Sequence, residues 1–194
     1  MLVNPSSIEI QQKPDADSRP EPQSLVGSDH ESMFVADDTK TLIKAIGQLK
    51  NGFSTHYYSW GNFNLVRLML HLVKQTGPVN CLMTSYSFSQ TSIEQLQNYI
   101  NKGLILSFRV LIDNRVKTMS PLPFQMLMDS FDYRCTSVHA KVALLWNDQW
   151  KISVVTSQNA TDNPKLERGT IFTDPAIFNF DYHILDNEFK HGTS

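Results

Sequence analysis

Long hydrophobic runs are missing from this 194-residue chain. No stretch approaches the ~18–20 consecutive apolar residues that a membrane helix needs. The opening Met1-Leu2-Val3-Asn4-Pro5 has neither the basic start nor the apolar stretch of a secretory signal. Cysteine is scarce. Cys81 and Cys135 stand far apart, which excludes a disulfide framework and clustered zinc spacing; both are read as buried free thiols in a reducing compartment. Walker loops, dinucleotide fingerprints and nucleophile elbows are absent too. These absences set the expectation of a cytoplasmic globular chain that neither enters a membrane nor needs a metal or cofactor. Asn159-Ala160-Thr161 matches a glycosylation acceptor, but without a secretory signal the match is read as accidental.

What is present is ordinary in bulk. Apolar residues at 41% and charged residues at 19% lie close to globular usage, and the length suits one domain with a real core. The net charge of −2 hides an asymmetry. Of 17 basic and 19 acidic side chains, residues 1–38 hold two and eight, which leaves 15 and 11 for the remainder, a formal +4. A mildly basic body is compatible with a polyanionic partner and equally with a solvated surface. Residues 1–36 carry Pro5, Pro14, Pro20 and Pro22 among Ser, Gln and Asp. They are expected to form a flexible acidic, Pro-rich tail, because so few apolar residues cannot offset the entropy of ordering. Residues 37–194 form the single expected domain.

Periodicity within that domain alternates. Leu42, Ile43, Ile46 and Leu49 predict a helix from Asp37-Asp38 to Gly52, and residues 54–60 a strand. Asn62 or Asn64 caps a second helix, stopped by Gly77-Pro78. Strands follow over residues 79–86 and 104–112, with a helix from Ser89 to Ile100 between them. A short helix at 124–130 precedes strands at 137–146, 150–156 and 169–173 and a C-terminal helix from Pro175. Strand–helix repeats predict right-handed crossovers. The expected fold is therefore α/β, with a mixed, largely parallel sheet and helices on both faces.

The segment Ser137-Val138-His139-Ala140-Lys141-Val142 carries the most chemistry. Strand alternation would put His139 and Lys141 on one face. A lysine among apolar neighbours is awkward for a core, so the alternatives are a solvent-facing edge strand or a site. Ser157, Asn159 and Glu167 lie near the ends of the next strands. Together they offer an imidazole, an anion-binding ammonium, an amide and a carboxylate, a set suited to attack on phosphate. Trp60 and Tyr86 close two strands, at the edge where open α/β sheets bind ligands. Either could stack on a base, or serve as core. His56 and His71 are read as packing residues.

His139-Ala140-Lys141 and the later Ser157-Gln158-Asn159 resemble the two elements of the phospholipase D superfamily signature, and the strand order from about residue 37 onward is similar to one such domain. Thr156 stands where the family has Gly or Ser, and Trp146 where it has Asp. The resemblance implies a metal-independent phosphodiesterase. His139 would attack phosphorus to give a phosphohistidine, Lys141 and Asn159 would bind the phosphate oxygens, Ser157 would assist, and Glu167 would hold the imidazole. Such sites need two H-x-K motifs and this chain has one, so the resemblance further implies a homodimer sharing one site. Small size, one motif and a mildly basic body favour nucleic acid over lipid. The alternative is a module that binds nucleic acid or phosphate without cutting it.

Overall fold

A computed structural model of the chain describes residues 23–26, 31–34 and 38–193. Two short strands, β1 (Gln23–Val26) and β2 (Glu31–Phe34), come first. The body begins with helix α1 (Asp38–Ile46) and strand β3 (Ser54–Ser59). Helix α2 (Leu65–Thr76) follows, with Asn64 as its cap: the Asn64 side chain accepts from Arg67 N–H at 2.9 Å. Next come β4 (Val79–Ser85), α3 (Gln90–Asn101) and β5 (Ile105–Asp113). Two short helices, α4 (Val116–Met119) and α5 (Pro121–Ser130), lead to β6 (Asp132–Thr136). A meander of β7 (Val142–Trp146), β8 (Lys151–Thr156) and β9 (Glu167–Phe172) precedes the long α6 (Pro175–His191).

The α/β class, the mixed sheet and the helices on both faces are all present. Alternation along the central strands divides the core. Cys81, Met83, Val110, Ile112, Ala143 and Leu145 pack in one cluster with residues of α2, α3 and α5. Leu82, Leu111, Val142 and Leu144 pack in the other with Phe178, Leu185 and Phe189 of α6. Strands apolar on both sides are what a doubly covered sheet requires. Cys81 and Cys135 are buried free thiols.

The expected balance of strand directions needs correction. Only β4–β5 and β5–β6 pair in parallel, and the other neighbours are antiparallel. The crossover through α2 does return the chain in the same direction, but β9, β8 and β7 lie between β3 and β4. That insertion replaces one parallel contact by four antiparallel ones.

Local boundaries shift as well. Helix α1 ends at Ile46 rather than Gly52, with Gly47 turning at φ 62, a conformation that costs glycine little. Helix α5 starts three residues earlier than expected because Pro121 occupies its first turn, where proline lacks no needed N–H. Within the segment expected to be a tail, β1 and β2 form an antiparallel hairpin on the outer edge of β3. Backbone pairing with an otherwise open strand edge supplies what apolar burial does not. The rest of the tail expectation lies outside the described residues.

One glycine fixes the meander's register beneath the site. Gly169 pairs with Tyr57 across β3 and β9, and a methyl there would overlap the Tyr57 hydroxyl and ring. That hydroxyl donates to Gln158 Oε1 at 2.8 Å and lies 3.0 Å from Thr156 Oγ1. Gly169→Ala is therefore expected to destabilise the fold by about 1–3 kcal/mol through overpacking. A lower urea midpoint checks this; an unchanged midpoint refutes it.

Candidate active site

Following strand directions, the ends of β3, β4, β5, β6 and β8 and the starts of β7 and β9 all meet at one edge of the sheet. His139 and Lys141 sit there, though not on a strand. Residues 137–141 form an irregular lead-in to β7, so simple alternation does not govern them. The cause is tertiary. Thr84 Oγ1 donates to the Ala140 carbonyl at 2.6 Å and accepts from Val142 N–H at 3.2 Å. Thr156 N–H donates to the Lys141 carbonyl at 3.0 Å.

The two side chains meet in unequal settings. His139 is exposed, whereas Lys141 is only 8% exposed. The Lys141 ammonium stands 3.3 Å from each ring nitrogen of His139 and donates to the His139 carbonyl at 2.7 Å. Among the described residues it makes no ion pair. Burial lowers its pKa from the ordinary lysine value, and Glu167 opposes that shift through space.

Glu167 opens β9, buried. Its carboxylate accepts from Ser157 Oγ and from Asn163 Nδ2, the latter at 2.9 Å. Among the described residues no hydrogen bond joins it to His139, so within one chain its partners are not the expected imidazole. Ser157 is in turn fixed to β9, since its N–H donates to the Arg168 carbonyl at 2.9 Å. Asn159 lies at the same edge, where its carbonyl accepts from Leu65 N–H at the start of α2. Its side-chain Oδ1 is buried with no hydrogen-bond partner among the described residues. Ala160, next along, is stitched to Ser85 at the end of β4 and to Ser89 at the cap of α3.

The two aromatic candidates separate. The Tyr86 ring lies 5.5 Å from the His139 ring, centroid to centroid, and 5.8 Å from the Lys141 ammonium. Trp60 follows β3, three strands from β7 in the sheet order, or about 14 Å away at ordinary strand spacing. His71 is buried on α2, where its Nε2 lies 3.1 Å from Gln75 Nε2. His56 bonds Thr170 on the neighbouring strand. Both fit packing roles.

Sequence reasoning passed over two residues. Asp113, the buried last residue of β5, accepts from Arg115 Nε at 2.7 Å and from Arg115 N–H at 3.0 Å. The pair with Arg115 chiefly holds the pKa of that carboxylate below the usual range, and the backbone of Val138 acts in the same direction. The guanidinium of Arg115 then lies 4.9 Å from the Tyr86 ring centroid. The available signal was position: polar residues directly after a buried parallel strand, at the ligand-binding edge.

Trp146, five residues past Lys141, lies at the opposite end of β7, where it packs on Phe178 and Tyr182 of α6. The departure from the motif therefore falls in a packing cluster, away from His139. No group of three or more His, Cys, Asp or Glu side chains among the described residues could hold a metal. No helix among them is long and apolar enough to cross a membrane.

The chain has a phospholipase D-like α/β fold, which solved structures share. Nuc from Salmonella typhimurium, a phospholipase D family member, shares it with a TM-score of 0.53 and 17% identity over 65% of this chain and 88% of that one. NucT from Helicobacter pylori superposes at 0.54 with 13% identity, over 73% and 99%. Polyphosphate kinase from Porphyromonas gingivalis contains a similar unit, at 0.52 and 15% identity over 69% of this chain and 26% of that one. No protein-family model matches the sequence, and no curated protein does.

Proposed function

We propose that this protein is a metal-independent phosphodiesterase that cleaves nucleic acid through a phosphohistidine, acting as a homodimer in the cytoplasm. The carrying observation is the buried ammonium of Lys141 on the His139 ring, with no carboxylate bonded to it among the described residues. A desolvated cation whose nearest carboxylate, Glu167, acts only through space is costly in a fold, and an incoming phosphate oxygen supplies a direct partner.

The phospholipase D resemblance implies the chemistry. A ring nitrogen of His139 attacks phosphorus, a P–N bond forms, and the P–O bond to the leaving group breaks. Lys141 and the amide of Asn159 bind the equatorial oxygens, where charge concentrates in the transition state. Water then attacks phosphorus and breaks the P–N bond, returning the imidazole. The leaving oxygen needs a proton, and the chain holds one H-x-K motif. A second copy's His139, brought across a two-fold axis, supplies that acid. Glu167, held by Ser157 and Asn163, offsets the Lys141 charge through space.

The test is cleavage of end-labelled single- and double-stranded DNA in excess EDTA, followed by a search for labelled protein. The expected result is EDTA-resistant cutting with a protein–nucleotide adduct that survives alkali and is lost in acid, as a P–N bond should be. Binding without cutting or adduct would replace this reading with that of a non-catalytic phosphate-binding module.

A further inference from the structure

Beyond the His139–Lys141 pair, the same sheet edge holds a second cation whose geometry is as closely fixed. Arg115 is anchored by a buried carboxylate. Asp113 takes its Nε at 2.7 Å and its Nη2 at 3.3 Å, while the side chain of Arg115 remains 62% exposed. A planar guanidinium gripped along one edge keeps the donors of its other edge aimed outward. Tyr86 lies between this group and the proposed centre. Its ring is 4.9 Å from the Arg115 guanidinium, 5.8 Å from the Lys141 ammonium and 5.5 Å from the His139 ring.

We infer that Arg115 and Tyr86 form a flanking-nucleotide subsite, in which Arg115 grips the phosphate next to the scissile one and Tyr86 stacks on the base between them. This rests on the phosphodiesterase reading of the neighbouring centre and narrows it to a polymeric single strand. Arginine favours phosphate because its paired N–H groups match two oxygens, and an aromatic face accepts any base. A small phosphodiester has no second phosphate for Arg115 to hold. Asp113 is a positioning residue here. It orients Arg115 through bonds to Nε, Nη2 and the backbone N–H.

The experiment is equilibrium binding of a fluorescent single-stranded 12-mer in EDTA at several salt concentrations, for the wild-type protein, Arg115→Gln and Arg115→Lys. Circular dichroism verifies that each variant is folded. Loss of one phosphate contact should weaken binding by about tenfold and lower the slope of log K against log salt by roughly one. Arg115→Lys keeps the charge and should restore the slope while recovering only part of the affinity. An Arg115→Gln curve that overlays the wild type would overturn the subsite, as would a wild-type protein that does not bind the 12-mer. Hydrolysis of bis(p-nitrophenyl) phosphate by the wild type reads the centre separately. If it occurs while binding ignores Arg115, the subsite falls and the centre stands. If it is absent while binding depends on Arg115, the phosphodiesterase reading falls, the flanking-nucleotide subsite falls with it, and Arg115 is left as a phosphate contact of a non-catalytic binding module.

Discussion

Replacing His139 by alanine is expected to reduce EDTA-resistant cleavage by about ten-thousandfold or more, because the attacking nitrogen itself is removed. Stability should change by no more than about 0.5 kcal/mol, since the His139 side chain is exposed and truncation leaves no cavity. The substitution also tests the shared site. Co-expressing tagged His139→Ala with wild-type chains gives mixed dimers that carry one nucleophile and no acid. Activity should then follow the square of the wild-type fraction. Linear dependence would mean that each chain holds a complete site, and the dimer proposal would be lost. Equal cutting by wild type and variant would remove His139 from the chemistry altogether.

The residues of this centre were legible because side-chain type survives without a fold. A histidine and a lysine two apart, then a serine and an asparagine after the next strand, carry the resemblance on which the proposed phosphate chemistry rests. Their geometry was not legible. His139, Ala140 and Lys141 alternate into Val142 as a strand would, yet the chain leaves the ladder there because Thr84, distant in sequence, takes its backbone groups. A local period cannot register a partner 56 residues away. Strand β6 escaped for a related reason. Asp132-Tyr133-Arg134-Cys135-Thr136 carries two charges in five residues and sits at the sheet's outer edge, where only one residue is buried.

Sheet order shows the same limit at larger scale. Each strand–helix–strand unit was readable from its own periodicity, but nothing local states that β7, β8 and β9 enter between β3 and β4. The antiparallel meander itself sets the starts of β7 and β9 beside the end of β8, so Lys141, Ser157 and Glu167 become neighbours at one edge. A purely parallel order would have put only strand ends there. Trp60 illustrates the converse: an aromatic at a strand end had the right local pattern, and the insertion carried it away from His139.

Lys141→Met should move activity and stability in opposite directions, which a merely structural lysine would not do. Catalysis is expected to fall by about a hundred- to a thousandfold, the usual loss when one charge-stabilising donor is removed from a transition state. Stability at neutral pH should instead rise by about 1 kcal/mol, or roughly 2–4 °C in Tm for a domain of this size, because an unpaired buried ammonium gives way to an apolar chain of similar length. The sign of the pH dependence follows from the lowered pKa. In the window between the folded value and the ordinary lysine value, the unfolded chain binds the extra proton, so wild-type stability rises with pH. Below that window both states are protonated and the full cost remains. Lys141→Met lacks this slope, so its advantage should be largest near neutrality and shrink as the solution becomes alkaline. Melting curves at about pH 7 and about pH 10 measure the gap. A Tm that drops on substitution, with a gap independent of pH, would make Lys141 a supporting strut of the His139 segment rather than a phosphate ligand.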